Sequence, residues 1–299
     1  MNTGDHRIGR VRVLSGVQNG KYPAGNSLWV EGTELSAVID PSLSLPERRE
    51  ELQGQADLVL LSHAHEDHTA GLGLFTDAQV HVHHEDLVGL SGIDGLMQIY
   101  GYGGALAEIT RVWVLEQFAQ VPRPDAQGFA DGAIFDLGGS TVRVFHTPGH
   151  TRGHCVFRIE PEGVLFLGDI ELSSFGPYYG DAWSDLADFE RSIELVRGIE
   201  ANAWVSFHHV GLIDQRSVFL ERLDRFAARI REREDAMLAF LAEPHTLEEM
   251  IARRFVYPAH ANLPFIDAVE RRTIGQHIAR LQQQGRVVAV EPAAYRAAP

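Results

Sequence analysis

His63-Ala64-His65-Glu66-Asp67-His68, directly after the apolar run Leu58-Val59-Leu60-Leu61, packs three imidazoles and two carboxylates into six residues. Folding alone does not call for that composition. Neighbouring histidines repel one another when protonated and lose solvation when buried. Divalent cations do call for it, because neutral imidazole nitrogen and carboxylate oxygen are good ligands for zinc and similar ions. The apolar run has the length of a buried strand, so the chain reads as a strand delivering a ligand-rich loop. In extended backbone, residues two apart face the same side, which predicts that His63, His65 and Asp67 converge on one point. His68 then faces the other way and suits a second ion nearby.

One loop cannot fill two coordination spheres, so further ligands are expected at other strand ends. Thr147-Pro148-Gly149-His150-Thr151-Arg152-Gly153-His154 follows the strand-like Thr141-Val142-Arg143-Val144-Phe145, and its glycines let backbone approach a ligand closely. Asp169 closes the apolar run from Val164, and His208-His209 closes the run from Ala203 to Phe207. His154 reads as a residue that orients a ligand rather than a ligand itself. His81, His83 and His84 read as structural or surface residues, Cys155 as a core thiol, and Glu66 as pointing away from the ions.

Around these motifs the first two thirds of the chain alternates short strands with turns. Arg10 to Leu14, Ser27 to Val30, Leu35 to Asp40 and Ala78 to His83 read as strands, and Asn19-Gly20 as a hairpin turn. Helical pieces are expected over the core between residues 86 and 133, and Asp185 to Ile199 has a helical period. Clustered strands broken by a few helices predict two sheets packed face to face with helices outside. After residue 213 the character changes. Arg216 to Glu243 is a long amphipathic helix, Thr246-Leu247-Glu248-Glu249 is a capping box, and Glu270 to Gln284 is a further helix before a strand. That order resembles a winged helix. The expected division is a catalytic domain at 1–212, a linking helix at 213–243 and a winged-helix-like module at 244–299.

The 299 residues carry a net charge of −15, unevenly spread: −17 over residues 1–215 and +2 over residues 216–299. An acidic main domain is a poor partner for a nucleic-acid backbone. This argues against a nuclease or phosphodiesterase and against a DNA-binding regulator, and leaves the module as a packing element or a homodimer interface. No apolar run approaches the roughly 20 residues needed to cross a bilayer. A single cysteine and the absence of an apolar leader segment fit a cytoplasmic protein.

Taken in order, the HxHxDH loop, distal His150, Asp169 and final histidine resemble the metallo-β-lactamase fold, in particular its glyoxalase II-like branch, over about residues 8–212. The resemblance implies an α+β class with an αββα four-layer sandwich. It implies that His63, His65 and His150 hold a first ion, that Asp67, His68 and a final histidine hold a second, and that Asp169 bridges them. Family spacing selects His208 as the final ligand, with His209 as the alternative. The implied cofactor is two divalent ions, zinc first, with iron or manganese as alternatives. The implied chemistry is hydrolysis of an ester-type bond in a small-molecule substrate (thioester, lactone or similar) by hydroxide held between the ions, with Asp67 or Asp169 relaying the proton. Tyr178 and Tyr179, in the aromatic segment after Asp169, are candidate substrate contacts. A mononuclear iron oxygenase of the persulfide dioxygenase type is the alternative on the same fold.

Overall fold

The computed structural model describes residues 4–290 and 292–298. Residues 1–3, at the start of the expected catalytic domain, and 291 and 299, in the expected C-terminal module, lie outside the described residues. A first sheet holds seven strands in sequence order: β1 (His6–Ile8), β2 (Val11–Leu14), β3 (Ser27–Glu31), β4 (Ser36–Ile39), β5 (Leu58–Leu60), β6 (Gln79–His83) and β7 (Gln127–Phe129). The pairs from β1 to β4 are antiparallel, and those from β4 to β7 are parallel. A second sheet follows the order β13-β12-β11-β10-β9-β8. Its strands are β8 (Ile134–Asp136), β9 (Thr141–His146), β10 (Cys155–Glu160), β11 (Val164–Phe166), β12 (Ala203–Val205) and β13 (Leu212–Ile213).

Strand periodicity explains the layering. Leu58 and Leu60 of β5 face a core shared with Phe157, Phe166 and Val205 of the second sheet. Val59 and Leu61, one residue out of phase, face a different core with Leu96 and Ile99. Both faces of β5 are covered, which is why its sequence is continuously apolar. The second sheet does the same: Phe166 points to the shared core, while Leu165 and Trp204 point outward. Helices α1 (Ile93–Tyr100) and α2 (Gly104–Phe118) contribute to the outer core of the first sheet. Helices α3 (Leu186–Gly198) and α4 (Arg216–Phe240) cover the second, where the Trp204 ring stacks on Phe219 at 4.7 Å between centroids. Burying a side chain of that size contributes roughly 1.5–3 kcal/mol. The result is two mixed sheets face to face with helices on both outer sides.

Helix α4 serves two cores. Phe219, Leu223, Phe226 and Ile230 pack on the second sheet, whereas Met237 joins a separate core with Met250, Ile274, Ile278 and Leu281. Beyond it lie α5 (Leu247–Arg253), opened by the Thr246/Glu249 capping box, then α6 (Ile266–Gln283). A three-stranded sheet of β14 (His245–Thr246), β15 (Val287–Val290) and β16 (Ala294–Ala297), in the order β14-β16-β15, completes the module.

Three sequence expectations need correction. Asn19-Gly20 is no tight hairpin: β2 and β3 are joined by the whole 15–26 segment, within which Gln18, Asn19 and Gly20 are left-handed. The stretch 86–133, expected to be helical, ends in the strand β7, which like β8 has no sequence signature, because most of their residues are exposed and three residues cannot establish a period. The α6 helix starts at Ile266, four residues before the expected Glu270.

Candidate metal centre

All the ligand-type residues arrive at one edge of the sandwich from the ends of strands. His63 and His65 follow β5, His150 lies in the turn between β9 and β10, Asp169 follows β11 and His208 follows β12. Two groups of side chains result. His63 Nε2, His65 Nδ1 and His150 Nε2 lie 3.0–3.2 Å from one another. Asp67 Oδ2 lies 2.9 Å from His208 Nε2, and Asp67 Oδ1 lies 3.9 Å from His68 Nε2. Asp169 stands between the groups, with Oδ2 3.1 Å from His150 Nε2 and Oδ1 3.0 Å from His68 Nε2.

The simple alternation of an extended chain is broken at Glu66. His65 is extended, but Glu66–Thr69 closes a helical turn. Asp67 therefore leaves the side shared by His63 and His65 and joins His68 and His208. His208 is buried and faces the cluster, whereas His209 is left-handed, partly exposed, and has its Nε2 3.7 Å from Glu171.

The ring nitrogen of each histidine that faces away from the cluster has an oxygen neighbour. His63 Nδ1 donates to Ser62 Oγ at 3.0 Å, whose hydroxyl donates to Asp40 Oδ2 at 2.5 Å. His68 Nδ1 donates to the same Asp40 oxygen at 2.7 Å, His150 Nδ1 to the Tyr178 carbonyl at 3.0 Å, and His208 Nδ1 to the Ala24 carbonyl at 2.9 Å. His65 is turned the other way, with Nε2 3.3 Å from Asp181 Oδ2. With a cation bound, these partners would keep the proton on the outer nitrogen of each ring and leave a lone pair on the inner one. The three inner nitrogens of His63, His65 and His150, 3.0–3.2 Å apart, converge where one cation would accept those lone pairs. His68 Nε2 and Asp169 Oδ1 are buried 3.0 Å from each other, and neither completes a hydrogen bond of good geometry. Orphaned buried polar atoms are rare, and here they converge where divalent cations would satisfy them. The donor set, imidazole nitrogen and carboxylate oxygen, fits zinc, iron or manganese.

Electrostatics are consistent with that design. Burial, then the rings of His68, His65 and His150, hold His63 well below the usual imidazole range. Burial opposes charge on His208, but Asp169 and Asp67 outweigh it and raise it to about 9. Burial likewise opposes charge on His65, which Asp181 lifts to about 9. Burial also disfavours ionised Asp169, yet His68, His150 and His208 hold its carboxyl well below the usual range. Burial and the neighbouring His150 press His154 down to about 3, so it is neutral. Its Nε2 accepts from the Asp169 backbone N–H at 3.0 Å. His154 thus touches the backbone of Asp169 and not the cluster.

A cavity of about 310 Å³ opens onto the cluster, walled by Tyr22, Tyr100, Tyr102, Trp113, Phe175, Tyr178, Tyr257 and Phe265, with Glu66, Glu171 and Asp181 as its other acids. Tyr178 lines it, its hydroxyl donating to Asp181 Oδ1 at 3.1 Å. Tyr179 does not. Its ring is 1% exposed and its hydroxyl meets His277 Nε2 at 2.9 Å, so its expected role as a substrate contact gives way to packing. Successive residues of an extended segment point apart, which is why only one of the pair reaches the cavity. Glu66 points away from the cluster and accepts from the hydroxyls of Tyr22 and Tyr100.

Sequence reasoning missed Asp40, Asp86 and Asp181. Asp40 had a usable signal, a carboxylate closing the apolar Val38-Ile39 before Pro41, as Asp169 closes its own strand. Asp86 had none: it ties the two ligand loops together by accepting from Ala64 N at 3.3 Å in one, and from Gly153 N at 2.8 Å and Thr151 Oγ1 at 2.7 Å in the other.

Residues 22–223 match the metallo-beta-lactamase superfamily. The human acyl-coenzyme A thioesterase MBLAC2 is 30% identical over 214 residues, covering 61% of this chain and 74% of that protein. The atrochrysone carboxyl ACP thioesterase nsrC of Aspergillus novofumigatus is 32% identical over 174 residues, covering 55% of this chain and 44% of its own length. The metallo-beta-lactamase family protein TTHA1429 of Thermus thermophilus superposes with a TM-score of 0.72 at 24% identity, covering 97% of this chain and 99% of that one. The chain belongs to the metallo-beta-lactamase superfamily and is a metallo-hydrolase.

Proposed function

We propose that the protein is a two-metal thioesterase, hydrolysing an ester-type bond in a small-molecule substrate. The observation that carries this reading is Asp169, which presents one oxygen to each histidine group, 3.1 Å from His150 and 3.0 Å from His68. His63, His65 and His150 would hold one divalent cation, and Asp67, His68 and His208 the other, with Asp169 shared. When bound, such a pair supplies hydroxide at neutral pH and neutralises the oxyanion that develops on the substrate carbonyl. The chain's own residues do the rest. Asp67, ionised and facing the cluster, is placed to take the proton released there. Asp40, Asp181 and the carbonyls of Ala24 and Tyr178 fix which ring nitrogen is free. The aromatic cavity, with three acids besides Asp67 and Asp169 and no lysine or arginine on its wall, favours an uncharged acyl group.

The thioester is preferred among ester-type bonds because the human and Aspergillus relatives carry thioesterase names. The complete second cluster disfavours the mononuclear iron oxygenase. We read residues 1–212 as the catalytic domain, 213–243 as a linking helix and 244–299 as a winged-helix-like module used for packing. Arg272, Gln276 and Arg280 of α6 are spent on contacts to the catalytic domain, which leaves them unavailable to nucleic acid. Among the described residues no helix is long and apolar enough to cross a membrane.

The test is thiol release from an acyl thioester by zinc-loaded protein, compared with Asp169→Ala. The variant should lose bound metal and at least about a hundredfold in rate, the scale of removing a group that organises transition-state charge. Unchanged metal content and unchanged hydrolysis in the variant would sink the reading.

A further inference from the structure

A second concavity of about 500 Å³ adjoins the cavity above the cluster, and Phe175 and Tyr257 line both. It lies between the loop after Asp169 and the segment following α5. Arg229, Arg253 and Arg254 line it together with Phe255, and no acidic residue does. In a chain of net charge −15 that convergence stands out from the average surface. Arg229 pairs with Glu232 on its own helix, and Arg254 Nη1 donates to the Ala261 carbonyl at 2.7 Å. Arg253 is exposed, sits 5.9 Å over the Phe255 ring, and has no carboxylate partner among the described residues.

The two concavities have opposite polarity. The inner one carries Glu66, Glu171 and Asp181 and no arginine or lysine, whereas the outer one carries three arginines and no acid, and so attracts anions. A ligand that fits both has an uncharged reacting end and an anionic tail. Guanidinium forks match phosphate oxygens bidentately, and the Phe255 face offers a surface for a planar group. We propose that the arginine-lined groove binds the phosphates of the thiol carrier, so that the substrate is an acyl thioester of a phosphorylated pantetheine thiol of the coenzyme A type. This rests on the thioester reading of the inner cavity. Hydrolysis breaks the acyl carbon–sulfur bond. The oxygen of water joins the acyl carbon, and the products are a carboxylate, a free thiol and one released proton. No oxidant or reductant is needed.

One acyl group presented on coenzyme A and on N-acetylcysteamine tests it, alongside calorimetric titration of free coenzyme A. Wild-type kcat/KM should favour the coenzyme A thioester at least tenfold, and Arg253→Glu should remove that preference. Arg191→Ala, at an exposed pair with Asp188 elsewhere, should keep it. Free coenzyme A should bind more weakly in Arg253→Glu and at high salt. A coenzyme A thioester no better than the short one, a preference unmoved by Arg253→Glu, or preference for a carrier-protein thioester would each overturn the proposal. If neither thioester is hydrolysed while coenzyme A still binds through Arg253, the groove stands and the thioesterase reading fails.

Discussion

Asp40 shows how one residue can govern the centre without facing it. Its backbone is left-handed at φ 47°, a conformation that is costly outside glycine and clusters at functional sites. Oδ1 accepts from the Ser62 N–H at 2.7 Å, while Oδ2 accepts from Ser62 Oγ at 2.5 Å and from His68 Nδ1 at 2.7 Å. Asp40→Ala leaves these buried donors unpaired, at about 1–3 kcal/mol each. It also frees the His68 ring, which should weaken metal binding about 10- to 100-fold. Denaturant unfolding and metal titration check both, and wild-type values in either would contradict the assignment. Protonation gives a second expectation at this scale. His65 and His208 sit at about 9, so in the cation-free protein both are charged at pH 7. A cation must displace those protons, so its apparent affinity should fall as pH drops below about 9 and rise towards it. Calorimetry in buffers of different ionisation enthalpy should register proton release at pH 7; uptake without release would contradict it.

At the level of elements, the turn between β9 and β10 decides where His150 points. Gly149 has φ +128°, and a Cβ there would stand 2.3 Å from Phe189 N at the start of α3. Its carbonyl accepts from Asp185 N at 3.0 Å, so turn and helix are locked together. Gly149→Ala should therefore destabilise the protein by at least about 2 kcal/mol and displace His150. Thermal unfolding with metal titration measures this, and an unperturbed melting temperature would count against it. The glycine was legible in the sequence, as were the ligand types, because both belong to short contiguous motifs. The helical turn at Glu66 was not. Its placement of Asp67 beside His208 depends on a residue more than a hundred positions away. Nor were β7 and β8, whose exposed residues carry no period.

For the molecule as a whole, the unread feature is what the C-terminal module does to the centre. Its near-neutral charge and helix order were visible in the sequence, and they indicated an appendage. In the structure α6 grips the 175–186 loop. Gln276 Nε2 donates to the Tyr179 carbonyl at 2.9 Å, its Oε1 accepts from Leu186 N at 2.6 Å, and Arg272 donates to the carbonyls of Tyr100 and Gly101. That loop supplies the Tyr178 carbonyl to His150 and Asp181 to His65. Such contacts join residues 90 to 172 positions apart, beyond any local pattern. Replacing Arg272 and Gln276 together with alanine should lower kcat severalfold while metal content stays near two per chain, since the ligands remain and only their supports loosen. An unchanged kcat would limit the module to the groove and to packing.

Metal stoichiometry measured with turnover addresses the central claim most directly. The wild-type protein, reconstituted and freed of excess ion, should hold two divalent cations per chain and release thiol without consuming oxygen. Asp67→Ala should hold about one and lose hydrolysis in step. One iron per chain, with oxygen consumed and no thioester hydrolysed, would contradict it.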